Sequence, residues 1–103
     1  MAMTPEKKTK NAVAAVLKAA GAYYFYPVTG GYGAGSGVPD IIVCYRGVFL
    51  GIECKAGRGK TTKLQDKHLE MIRGAGGLSM VVNETNIDDV KTALDRIETG
   101  EYK

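Results

Sequence analysis

Seven blocks of apolar residues run along the chain, and their spacing switches between a helical and a strand period. Val13, Val16, Leu17 and Ala20 recur at helical spacing. Thr4 suits the N-cap of that helix, Pro5 its first turn, and Gly21 its C-cap. Ala22 to Val28 (AYYFYPV) reads as a strand from its aromatic content, with Pro27 near its end. Val38 to Tyr45 and Val48 to Lys55 are apolar, β-branched runs on either side of Arg46-Gly47, which predicts a hairpin. A basic loop follows. A second helix is expected from about Thr62 to Arg73, stopped by Gly74, Gly76 and Gly77. Leu78 to Val82 reads as a short buried strand, and Ile87 to Glu98 as a last helix with Ile87, Val90, Leu94 and Ile97 on one stripe. The order α-β-β-β-α-β-α predicts an α/β fold, a mixed sheet flanked by helices.

Composition narrows the class. The 103 residues suit one domain spanning 1–103, and 45% hydrophobic with 24% charged residues excludes bulk disorder. No run approaches the ~18 apolar residues of a membrane span. The opening MAMTPEKKTK has no apolar signal stretch, so a cytoplasmic location without a membrane partner is expected. Glycine is unusual at 14 residues, about twice the average share, and Gly30, Gly31, Gly33, Gly35 and Gly37 cluster just before the hairpin. Such a stretch lets the chain pass close to a metal or a nucleic-acid backbone.

Charge is uneven. Residues 1–83 carry eleven Lys and Arg against five Asp and Glu, whereas residues 84–103 carry three against six. Lys55, Arg58, Lys60, Lys63 and Lys67 concentrate around the basic loop, with Asp66 the only acid among them. That patch suits a polyanion; the plainer reading is a solvated lysine-rich surface. Cys44 and Cys54 lie in apolar runs and read as reduced core thiols. One histidine and no paired-cysteine spacing argue against zinc.

The chemistry sits in the hairpin. If Arg46-Gly47 is a two-residue turn, Tyr45 pairs with Val48 and Asp40 lies opposite Glu53. Lys55 shares the face of Glu53, two residues on. Two like charges opposed in an apolar hairpin are destabilising, and a divalent cation between them removes the conflict. The plainer reading is that both acids sit at strand ends and point into water.

These residues resemble a known family. Val38-Pro39-Asp40 followed by Ile52-Glu53-Cys54-Lys55 is similar to the signature of the PD-(D/E)XK nuclease superfamily. Gly37 to Ile42, the strand ending Gly51 to Ala56, and Gln65 in the next helix resemble the VRR-NUC (virus-type replication-repair nuclease) domain, in its stand-alone phage or prophage form. The resemblance runs from Glu6 to about Val82. It implies a restriction-endonuclease-like core and a DNA endonuclease that uses Mg²⁺ or Mn²⁺. By position, it implies Asp40 and Glu53 as metal ligands, with the Cys54 backbone carbonyl completing the coordination and Glu6 as a further acid. Lys55 would orient or activate the attacking water, and Gln65 matches the family glutamine. Arg58, Lys60 and Lys63 are the candidate DNA contacts. Branched DNA of the four-way-junction type is the expected substrate, cut by a homodimer whose two-fold symmetry matches paired cleavage points.

Several residues have a second reading. Glu6 in a first helical turn complements the helix dipole. Thr62 and Gln65 form a capping box by spacing, which is compatible with a site contact. His68 and the Tyr23 to Tyr26 run read as packing or surface residues. Cys54 to Thr61 approximates a phosphate-cradling loop, but Cys replaces its first glycine. Two other functions stay open: a catalytically silent nucleic-acid-binding module on the same fold, and a monomeric flap- or nick-directed nuclease.

Overall fold

Thr4 caps the first helix with its side chain, Oγ1 accepting from the Lys7 amide at 3.2 Å, and Gly21 closes it with φ of 76°. Between them lies α1 (Pro5–Ala20), whose Val13 and Leu17 are fully buried. The computed structural model describes residues 3–28 and 37–102. Gly30, Gly31, Gly33 and Gly35 of the glycine cluster lie outside the described residues. After α1 come β1 (Tyr23–Phe25), β2 (Ile41–Tyr45), β3 (Val48–Cys54), α2 (Lys63–Gly74), β4 (Leu78–Val82) and α3 (Asp88–Thr99). The element order is the one the periodicity predicts. The first strand is shorter than expected, and β2 starts after Asp40 rather than at Val38.

The four strands form one sheet in the order β1-β2-β3-β4, with antiparallel pairing except for the parallel β3–β4 pair. Arg46 and Gly47 have φ of 51° and 79°, so the hairpin closes on a two-residue turn with both central residues left-handed. That turn sets the register: Tyr45 faces Val48 and Ile41 faces Ile52.

Alternation then sorts the side chains. Ile41, Val43 and Tyr45 with Val48, Leu50, Ile52 and Cys54 form one face, which packs with Val13 and Leu17 of α1 and Val90, Leu94 and Ile97 of α3. The acidic third helix therefore belongs to the core, and its Glu98 binds the hairpin turn through Tyr45 Oη (3.2 Å) and Arg46 (3.0 Å). The opposite face carries α2: Gly51 lies under the Ile72 side chain, and Ser79 Oγ donates to the Leu69 carbonyl at 2.9 Å. Cys44 departs from its expected core position because it lies on this second face, where it is exposed. Tyr23, Phe25 and Phe49 are exposed there too. Nor is β4 uniformly buried; as an edge strand it encloses only Val82 completely. No helix is long and apolar enough to cross a membrane among the described residues.

Gly37 ties the segment before Asp40 to α2. A Cβ there would meet His68 Cδ2, Leu64 Cγ and the Leu64 carbonyl at 2.5, 2.6 and 2.8 Å, a contact no side chain can occupy. Gly37→Ala should therefore cost about 1–3 kcal/mol in urea unfolding, as overpacking does. Gly74→Ala, where the added methyl meets nothing within 4 Å in a helix, should be neutral or stabilising.

Candidate metal centre

The hairpin register carries one step past Ile41–Ile52, which sets Asp40 opposite Glu53 at the end of the sheet. Asp40 is locked there: its Oδ2 accepts the Cys54 amide at 2.8 Å. Glu53 is only 2% exposed, an acid enclosed where carboxylates are rarely found unpaired. Its Oε2 is met by two donors. Lys55 Nζ stands 3.5 Å away, and Gln65 Nε2 donates at 3.2 Å.

Gln65 performs two tasks with its two amide atoms. Its Oε1 accepts from the Thr62 amide at 2.9 Å while its own backbone amide donates to Thr62 Oγ1 at 3.1 Å, completing the capping box of α2. Its NH₂ group is left to reach Glu53. The cap thus aims the side chain, because a glutamine at the third helical position with its oxygen turned back to the N-cap has its NH₂ group turned outward.

Glu6 arrives from the opposite layer. It stands in the first turn of α1, and one ligand oxygen from each of Glu6, Asp40 and Glu53 lies within 4.8 Å of the others. Burial first, and then the hydrogen-bonded Asp40 carboxylate, push the Glu53 carboxyl up to about 8 against the opposing pull of Lys55. Burial followed by the Asp40 and Glu53 charges pushes the Cys54 thiol up to about 12, so it is neither a nucleophile nor a thiolate ligand near neutral pH. The donors that remain are carboxylate oxygens, which fit a hard cation such as Mg²⁺ or Mn²⁺ and not a sulfur-seeking one.

Sequence reasoning missed two side chains: Lys10, which borders this cluster, and Glu84, which holds the basic loop. Lys10, one turn beyond Glu6, has its Nζ 3.9 Å from Asp40 Oδ1 and 5.5 Å from the centre of the Tyr26 ring. Its i,i+4 spacing from Glu6 was the available signal. Glu84, beyond β4, accepts the Gly57 amide with both oxygens at 2.9 and 3.1 Å. This pins the start of the basic loop, whose Arg58 and Lys60 are exposed, as is Lys63 at the start of α2. These three are near Lys55 in sequence but form no ion pair or hydrogen bond with the acids. His68 packs near Gly37, and no contact joins it to the acids.

A scan against family models finds no match, and a search of curated proteins finds none either. Among solved structures, one described as a VRR_NUC domain superposes with a TM-score of 0.69 at 23% sequence identity, over 90% of this chain and 97% of that one. The chain has the VRR_NUC fold. Coverage on both sides means that the shared layout extends through most of this chain and nearly all of that one.

Because folding raises the Glu53 carboxyl from its ordinary 4.5 to about 8, the folded chain holds a proton that the unfolded chain releases across that interval. The stability tied to that proton is fully present below 4.5 and is lost as pH rises through 8. Metal-free protein in EDTA should therefore show a falling Tm across this window, and Glu53→Gln should flatten the fall. A wild-type Tm that stays level or rises would contradict the assignment.

Proposed function

We propose that the chain is a metal-dependent, structure-selective DNA endonuclease, a hydrolase of phosphodiester bonds, of the Holliday junction resolvase type. The observation that carries this reading is the convergence of Glu6, Asp40 and Glu53 within 4.8 Å, with Lys55 against Glu53. Similarity in fold to a VRR_NUC domain supports it. Residues 1–103 would act as one nuclease domain.

In this reading Asp40 and Glu53 hold Mg²⁺ or Mn²⁺, with Glu6 and the Cys54 backbone carbonyl as further oxygen donors. The ion would supply Lewis acidity at a non-bridging phosphate oxygen. Lys55 orients the attacking water and offsets the negative charge that builds up during in-line displacement. Gln65 fixes the rotamer of Glu53, since it is itself fixed by the α2 cap. Arg58, Lys60 and Lys63 meet the DNA backbone from the exposed loop and helix start. Glu84 keeps that loop in one conformation, so the cations reach the backbone at a set distance from Lys55.

A homodimer follows from the substrate. A four-way junction has two-fold related cleavage points, and a symmetric pair of chains presents one site to each. Tyr23 and Phe25, exposed on the short edge strand, provide apolar area for such pairing.

Purified protein should nick four-way junctions in Mg²⁺ or Mn²⁺ and not in EDTA. Asp40→Asn and Glu53→Gln should each lower the cleavage rate by about 10³-fold or more while circular dichroism keeps the helical signal, the scale of losing a principal electrostatic group. Binding without cleavage in every metal would point to the silent module, and cutting confined to flaps by a monomer would overturn the resolvase assignment. Neutralising Arg58 or Lys60 should weaken junction binding and lower its salt slope by about 1 per residue. An unchanged slope would remove the loop from the interface.

A further inference from the structure

The two oxygens of Asp40 are treated differently by the fold. Oδ2 is taken by the Cys54 amide at 2.8 Å, while Oδ1 is the oxygen that Lys10 addresses at 3.9 Å. The oxygen left for a cation is thus the one already facing an ammonium group. Lys10 is positioned from two sides: it shares a helix face with Glu6 one turn earlier, and its ammonium stands 5.5 Å from the centre of the Tyr26 ring. Both members of the Lys10–Asp40 pair are about a quarter exposed, at 27% and 25%, so the pair is shielded from bulk solvent yet open enough to separate.

We propose that Lys10 is a built-in competitor of the metal, which yields Asp40 to a divalent ion and then binds a DNA phosphate beside the site. The inference rests on the metal-centre reading. Without an ion, three acidic groups crowd together, with Lys10 against Asp40 and Lys55 against Glu53. An ion on Asp40 Oδ1 would stand at oxygen-ligand distance, about 2.0–2.6 Å. That places a doubly charged cation within a few ångströms of the Lys10 ammonium. Repulsion from the ion then outweighs the attraction of a single, already shared carboxylate. Lys55 is under less pressure to move, because it pairs with Glu53 Oε2, the oxygen that Gln65 also holds. Released from Asp40, Lys10 keeps its place near the Tyr26 ring and presents its charge at the rim of the centre. The nearest anion arriving with substrate is a phosphate of the strand being cut. One lysine therefore stabilises the empty centre and later adds a backbone contact that exists only when the ion is present.

Calorimetric titration of Mn²⁺ into protein without DNA tests the first half, using wild type, Lys10→Met and Lys10→Arg. Removing the competitor should tighten Mn²⁺ binding about fivefold, the worth of a partly exposed ion pair, and Arg should restore the wild-type affinity. Equal or weaker binding by Lys10→Met would overturn the competition. No Mn²⁺ binding by wild type would instead bring down the metal-centre reading itself. Fluorescence anisotropy on a four-way junction tests the second half, in Ca²⁺, which fills carboxylate sites, and in EDTA. Lys10→Met should bind about fivefold more weakly than wild type in Ca²⁺ and within about twofold in EDTA. Equal losses in the two conditions, or none in Ca²⁺, would overturn the phosphate contact.

Discussion

Two carboxylates meet across the end of an apolar hairpin, and much of the local structure answers that conflict. The Asp40–Glu53 apposition follows from turn length: two left-handed residues at Arg46 and Gly47 leave only one register in which the hydrophobic face stays inward. Groups from α1, α2 and the end of β3 then gather around the pair, each offering a proton or a positive charge. The Cys54 amide, Gln65, Lys55 and Lys10 all point at it. An apolar replacement at Glu53 would suit the sheet better in isolation, since a buried acid near its own kind raises the free energy of the fold. A strained feature surrounded by this much support reads as functional.

The two faces of the sheet divide the work. The face carrying Ile41, Val43, Leu50, Ile52 and Cys54 is sealed by α1 and α3 and supplies the rigidity. The other face is only partly covered, by α2, and it carries the polar groups at one end and exposed aromatic residues elsewhere. Glu53 lies at the polar end of this second face, enclosed from water, while Asp40 is partly open and the basic loop extends into solvent. Glu84 joins that loop to the sheet by holding Gly57 from the end of β4, a link that requires the parallel β3–β4 pairing to bring the two loops side by side.

Local rules made the hairpin legible. Strand period and turn length are both short-range, so the opposition of Asp40 and Glu53 and the shared face of Lys55 could be read from spacing. The Gln65 capping box was legible for the same reason. Cys44 was misjudged although its parity, shared with Asp40 and Ile42, placed it off the core face; apolar neighbours in sequence outweighed alternation. Lys10 and Glu84 were missed because each acts on a residue more than 25 positions away, and nothing local marks that encounter.

Helix caps, the order of elements, the hairpin register and the pairing of acid, acid and lysine were determined by the sequence alone, since each depends on neighbours within a few residues or on a single turn. Tertiary structure decided the rest. It brought Glu6 from the first helix to the hairpin end, set Lys10 against Asp40, and enclosed Glu53 deeply enough to raise its carboxyl. Those outcomes depend on how layers pack. Packing is a property of the whole chain, because an apolar stripe specifies that a helix must be covered and not which distant carboxylate its first turn will meet.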